Sequence, residues 1–226
     1  MDAALVPLLL TLKVAGWATL AATVLGTLAA LWIARSRHPA REIVDATFTL
    51  PMVLPPTVLG YYLLVVLGRQ GPLGGWLERE FGINLIFTWP AAAIAAAVVA
   101  FPLVFKSARA AFEAIDPNLE KAGRALGYDE ATLLLRVSLP LAWRGIVAGA
   151  MLAFARAMGE FGATLMVAGS IPGRTQTMSI AIYEAVQAGD DPLATHLVLI
   201  TSIACIVILV AAGTQLRSGY MRVHPA

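Results

Sequence analysis

The chain has 226 residues, 59% of them hydrophobic and 13% charged, with a mean hydropathy of +0.77 and a net charge of +2. A water-soluble domain carries about 25% charged residues, so this chain lacks the polar surface to cover itself in water and reads as an integral membrane protein. The small net charge gives no ground for a nucleic-acid partner, and a single cysteine, Cys205, excludes an intrachain disulfide and reads as a small buried hydrophobe.

A helix needs about 20 apolar residues to cross the hydrocarbon core. On that rule the chain is expected to be all-α, a polytopic membrane bundle of five spans at about 8–34, 46–68, 89–112, 140–168 and 195–216. The first segment lacks the basic start of a signal peptide, since Asp2 precedes Lys13, and it is expected to stay as a span. The second holds Pro51, Pro55, Pro56 and Gly60. Such residues are tolerated in a membrane helix where neighbours or a water-lined cavity satisfy the freed carbonyls. The helix is therefore either a kinked packing helix or one that lines a pathway, with the hydroxyls of Thr47, Thr49 and Thr57 offering a weakly polar lining. The fourth carries Arg156 and Glu160, four residues apart, which could pair on one helix face. A charge at mid-membrane costs about 2.5–3.5 kcal/mol, so both should face protein or water. They read either as a brace between helices or as a cation that attracts an anion into a pathway.

Orientation follows from the loops. Arg35, Arg37, Arg41, Lys106, Arg109, Lys121, Arg124, Arg136, Arg144, Arg217 and Arg222 fall on one side of a five-span arrangement, against Arg69, Arg79 and Arg174 on the other. The richer side is expected to be cytoplasmic, which puts the N-terminus outside and the C-terminus inside. The loop 170–191 on the outer side contains Ile180, Ile182, Tyr183 and Val186, a pattern for a short half-buried helix.

Between the third and fourth spans lies the one sizeable charged stretch, a cytoplasmic hairpin at 116–139. Asp116-Pro117 is a good helix start, Asp as N-cap and Pro at the first helical position. Leu119, Ala122, Ala125 and Leu126 recur at helical spacing, and Gly127 falls where a helix should stop. A second helix starts near Asp129-Glu130. The first piece, of about 10 residues and roughly 15 Å, can neither span nor stand alone. It is either a lid on its own bundle or a knob docked into a cytoplasmic partner.

This stretch resembles the EAA loop of ABC-importer permeases. Lys121-Ala122-Gly123 takes the place of the Glu-Ala-Ala triplet, Gly127 follows after three residues, and nine more lead to Val137-Ser138-Leu139-Pro140. Lys121 stands where the motif has glutamate and Gly123 replaces an alanine, while the adjacent Glu120 offers a carboxylate. "LPMVLPPTVLGYYLLVVLGRQGPLG" from Leu50 and "LAFARAMGEFGATLMVAG" from Leu152, followed by "IPGRTQT", are similar to the molybdate permeases, with the sulfate and thiosulfate permeases as near relatives.

The resemblance implies a type I permease domain over 8–217, forming a pathway for molybdate and tungstate across the cell (inner or plasma) membrane. It implies a homodimer in membrane lipid, two cytoplasmic ATPase subunits and an extracytoplasmic molybdate-binding protein. In such a complex Glu120, Lys121, Ala122, Gly123, Leu126, Gly127, Val137, Leu139 and Pro140 would couple to the ATPase, and Pro55, Pro56, Thr57, Arg156 and Glu160 would line or brace the pathway. The chain contains no Gly-Lys dipeptide and so no Walker A segment. No cofactor is expected on it, and ATP and Mg²⁺ belong to the separate ATPase. A sulfate or thiosulfate permease is the substrate alternative. A self-contained secondary transporter or channel is the rival class, though no internal repeat supports it.

Overall fold

The computed structural model describes residues 2–36 and 38–221, and every described element is helical. Arg37, Arg222 and His224 lie outside the described residues, and the side chain of Arg217 is likewise not described. In chain order the helices are α1 (Asp2–Arg35), α2 (Arg41–Val53), α3 (Pro56–Leu67), α4 (Pro72–Phe81), α5 (Trp89–Glu113), α6 (Pro117–Ala125), α7 (Glu130–Leu133), α8 (Leu139–Met158), α9 (Gly162–Ala168), α10 (Met178–Gln187) and α11 (Asp191–Met221). A π-helical turn, Leu134–Ser138, joins α7 to α8.

The core is built around α5, and the sequence shows why. Ala91, Ala92, Ala95, Ala96, Ala100 and Ala108 of α5 are all fully buried. Small side chains let backbones approach closely, which is how helices associate where lipid offers no hydrophobic drive. The partners answer in kind: a Cβ at Gly26 of α1 would lie 3.1 Å from the Val104 Cβ, and one at Gly149 of α8 would lie 2.9 Å from the Ser107 Cβ. α1 and α8 thus flank α5 at close range. Outside this core, α10 is tied to α1 by Thr11, whose hydroxyl accepts the Met178 N–H at 2.8 Å and donates to the Pro7 carbonyl at 2.7 Å. The short helix expected in 170–191 is α10, with Ile180 buried, Ile182 half-buried, and Tyr183 and Val186 exposed.

Among the described residues four helical stretches are long and apolar enough to cross a membrane, Ala4–Arg35, Trp89–Glu113, Glu130–Met158 and Asp191–Ile208, and a bent pair makes a fifth if it counts as one span. The expected spans at 8–34, 89–112 and 195–216 correspond to continuous helices. The other two are corrected. The span at 46–68 is not one helix: α2 ends at Val53, Leu54 and Pro55 are extended (ψ 140° and 138°), and α3 restarts at Pro56. Proline pushes the residue before it out of the helical region and removes a donor, while Pro56 suits the first position of a new helix. Arg41–Val53 and Pro56–Phe81 are bent by 111° to each other. The span at 140–168 is also interrupted, because α8 stops at Met158 and α9 begins at Gly162.

A third correction concerns the hairpin. Its second arm is not a separate short piece but runs through the π-turn into α8. Pro140 can donate no hydrogen bond, and the ladder is already shifted there, the Leu139 N–H bonding to the Leu134 carbonyl five residues back. The arm and the span therefore form one continuous helical rod, Glu130–Met158.

Candidate functional sites

The hairpin is built as its sequence dictates. The Asp116 carboxylate accepts the Asn118 N–H at 2.9 Å and the Asp129 carboxylate accepts the Thr132 N–H at 3.2 Å, so each short helix has a side-chain N-cap. Caps of this kind are worth about 1 kcal/mol each. Gly127 has φ +84°, and around it the Tyr128 N–H bonds to the Gly123 carbonyl (3.1 Å) and the Gly127 N–H to the Arg124 carbonyl (3.0 Å). This is the paired closure of a helix end on a left-handed glycine. Gly123 is buried, and a Cβ there would come within 2.6 Å of the Leu133 Cδ1. The departure from alanine thus lets the two arms close on Leu133.

The distribution of side chains on α6 is inverted relative to a helix lying on its own bundle. Leu119 is 47% exposed and Leu126 76%, and Lys121 and Ala122 are exposed beside them. Of the charged side chains of α6, Glu120 turns inward, while Lys121 and Arg124 are exposed. Glu120 accepts a hydrogen bond from the Ser138 hydroxyl at 2.9 Å and lies 3.4 Å from the Arg35 guanidinium and 3.6 Å from that of Arg124. Arg124 also binds Glu130 at 2.8 Å, and Arg35 reaches Glu130 at 3.5 Å. The hydrogen bond from Arg124 holds the Glu130 carboxyl below the usual carboxylate range, and the same bond raises Arg124. Hydrogen bonding from Thr132 likewise lowers Asp129. Of the residues singled out in the sequence, Lys121, Ala122, Leu126 and Gly127 lie at the exposed end. Val137 and Leu139 are half-buried at the base of the arm, next to the exposed Pro140. Glu120 turns away from the exposed face, which its place in the motif did not reveal.

The second site is the junction of the two interrupted spans. α3 and α9 pack glycine to side chain: a Cβ at Gly60 would lie 2.7 Å from the Met166 Cβ, and one at Gly162 would lie 2.9 Å from the Pro56 Cβ. Glu160 sits in the break before α9 and is buried; its Oε1 accepts the Ala163 N–H at 2.9 Å, a carboxylate on the positive end of a helix. Its Oε2 lies 2.8 Å from the Arg156 Nη1, an ion pair whose N–H is not aligned into a hydrogen bond. The expected pair therefore forms, but across a helix end rather than along one face. The Arg156 side chain, 37% exposed, borders a cavity of about 170 Å³ lined by Pro51, Met52, Leu54, Pro56 and Leu59. Pro55 and Thr57 are exposed at the break. Thr47 and Thr49 donate to the carbonyls of Ile43 and Asp45 (2.8 and 2.7 Å), so their protons are already spent on α2. The N-terminal end of α2 is fixed to α5, Asp45 accepting from Lys106 at 2.6 Å and from Arg109, with Arg109 bonded in turn to Glu113 at 2.9 Å.

Multiple apolar spans, two of them broken against each other, and a capped hairpin that leaves Leu119 and Leu126 exposed define a membrane protein of the permease kind. Residues 4–220 match the family of binding-protein-dependent transport system inner membrane components, and the chain belongs to that family. It is 40% identical over 205 residues to the molybdenum transport system permease protein ModB of Escherichia coli (strain K12), covering 90% of each chain. It is 34% identical over 197 residues to the sulfate transport system permease protein CysT of the same organism, covering 87% of this chain and 71% of that one. A crystal structure of a bacterial ABC transporter involved in the import of the acidic polysaccharide alginate superimposes with a TM-score of 0.79 at 17% identity, over 96% of this chain and 80% of that chain, a likeness of fold. The chain is thus a multi-pass inner-membrane permease of the binding-protein-dependent import type.

Proposed function

We propose that the chain forms the translocation pathway for molybdate, and for the like-shaped dianion tungstate, in a homodimeric ABC importer. Two copies of a separate cytoplasmic ATPase, which hold the ATP and Mg²⁺, drive it, and an extracytoplasmic molybdate-binding protein feeds it. The N-terminus lies outside and the C-terminus in the cytoplasm. The observation that carries this reading is the inverted hairpin. Leu119, Ala122 and Leu126 are exposed on α6 and its C-terminal cap, while Glu120 and Arg124 are paired within the chain, as suits a knob seated in a partner's groove. The choice of molybdate rests on the 40% identity to ModB, against 34% to the sulfate permease.

In this reading α6 docks on the ATPase through Leu119, Lys121, Ala122 and Leu126, with Gly123 and Gly127 holding the hairpin shut. Val137, Leu139 and Pro140 lead its movement into α8. ATP shifts the dimer between its two states only by binding them with different affinity. Arg156 and Glu160 act as a brace that joins the end of α8 to the start of α9. Arg156, kept electrically balanced by Glu160, would not trap a dianion passing the break at Pro55, Pro56 and Thr57. The test is molybdate uptake into proteoliposomes holding the complete complex. Uptake should need both the binding protein and ATP, and an ATPase should co-purify with the chain in mild detergent. A purified chain that brings down no ATPase and moves molybdate down its gradient without ATP would overturn the reading.

A further inference from the structure

Force applied to α6 has to reach the spans, and the continuous rod of α7 and α8 is one route. The side chains mark another. Arg35 is the last residue of α1, and its guanidinium faces three acceptors of the hairpin at once: Glu120 on α6 (3.4 Å), Glu130 on α7 (3.5 Å) and the Ser138 hydroxyl in the π-turn (3.2 Å). Ser138 is 1% exposed and donates onward to Glu120 at 2.9 Å, so the three groups form a closed triangle. Arg35 is the point where a membrane-length helix packed along α5 meets each arm of the hairpin. A cation at the C-terminal end of α1 is also favoured by the carbonyls there.

We infer that Arg35, Glu120 and Ser138 are positioning residues for coupling: they lash the docking helix to the cytoplasmic end of α1, so that α1 and α8 move together when the hairpin is displaced. This rests on the ABC-importer reading. It assigns Glu120 to a contact inside the chain rather than to the ATPase, and leaves the cation Lys121 as the charged group on the docking face. It also explains the departure in the motif. With the carboxylate one position earlier in a helix, its side chain is turned about 100° toward α1, and the position after it is free to meet an acidic patch on the partner.

The geometry asks for a fork. A guanidinium can serve several acceptors from one plane, whereas a lysine ammonium is a single point charge. The experiment uses the complete complex in proteoliposomes and reads oxyanion imported per ATP hydrolysed, together with the amount of ATPase co-purified. Arg35→Gln should keep the ATPase bound at the wild-type ratio yet lower import per ATP several-fold, and Arg35→Lys should fall between. Leu126→Asp, on the docking face, should instead lose the ATPase.

Ser138→Ala, a small change with little risk to folding, should lower import per ATP by about twofold. Unchanged import per ATP in Arg35→Gln and Ser138→Ala would overturn the inference, as would loss of ATPase binding in Arg35→Gln to the same degree as in Leu126→Asp. If the wild-type complex shows no ATP-driven import at all, it is the transport reading that fails.

Discussion

The charged hairpin and the broken spans are both helix–break–helix structures, yet they are held in opposite ways. In the hairpin the break is made of local backbone chemistry: Asp116 and Asp129 cap the starts, and Gly127 at φ +84° closes the stop. Leu133 is enclosed between its arms, and Leu119 and Leu126 are left facing out. At the junction of α2–α3 with α8–α9 the breaks are held by tertiary packing instead, through Gly60 under Met166, Gly162 against Pro56, and one ion pair. The hairpin carries its own structure to a partner, whereas the junction exists only when four segments are in place. Substitutions should therefore damage assembly at one site and folding at the other.

The largest effect is expected at Glu160. Glu160→Leu leaves Arg156 without its counter-charge and the Ala163 N–H without its acceptor. Removing one member of a buried pair costs about 3–5 kcal/mol, and the low end applies because Arg156 is 37% exposed. Folded yield and thermal stability in detergent should drop sharply. Arg156→Leu added to Glu160→Leu should restore much of the loss if the pair is a brace. A well-folded double variant that no longer transports would instead favour a role in the pathway.

Gly60→Leu comes next. Its side chain must enter where a Cβ alone would lie 2.7 Å from the Met166 Cβ, and overpacking costs about 1–3 kcal/mol, read as a lower melting temperature of the purified protein.

Gly127→Val should cost about 1–2 kcal/mol, because a β-branched residue is forced into the left-handed region. Nothing lies within 4 Å of the added Cβ, so the loss should be confined to the hairpin. Oxyanion-stimulated ATPase activity should fall while the melting temperature of the bundle holds.

The smallest effect is on pH. The folded-state carboxyls of Asp129 and Glu130 are lowered, so their contribution is present above the ordinary carboxylate range and is lost as pH falls through the lowered values. Amide exchange at Thr132 should accelerate on acidification from about pH 6 to pH 3, with that of α5 unchanged after correction for intrinsic rates.

The same contrast decides what could be read from the sequence. The hairpin was legible down to its caps, because N-cap, first-turn proline and C′ glycine are local signals that act wherever they occur. The continuous spans were legible from hydropathy and length. The breaks were not, since Pro55-Pro56 reports that a helix is disturbed but not that Arg41–Val53 and Pro56–Phe81 diverge by 111°. Gly159-Glu160-Phe161 sits in a run that is apolar enough to pass as one helix. The ion pair was found from its spacing, but its placement across a helix end depends on the packing of α9. The inward turn of Glu120 was hidden for the same reason: its partner Arg35 lies 85 residues away.

The most direct test of the whole account is the ATPase activity of the reconstituted complex with its binding protein, titrated separately with molybdate, tungstate and sulfate. The account predicts stimulation by molybdate and tungstate and none by sulfate. Stimulation by sulfate alone would contradict the molybdate assignment and move the chain to the sulfate branch, and no stimulation by any of the three would contradict coupled oxyanion import itself.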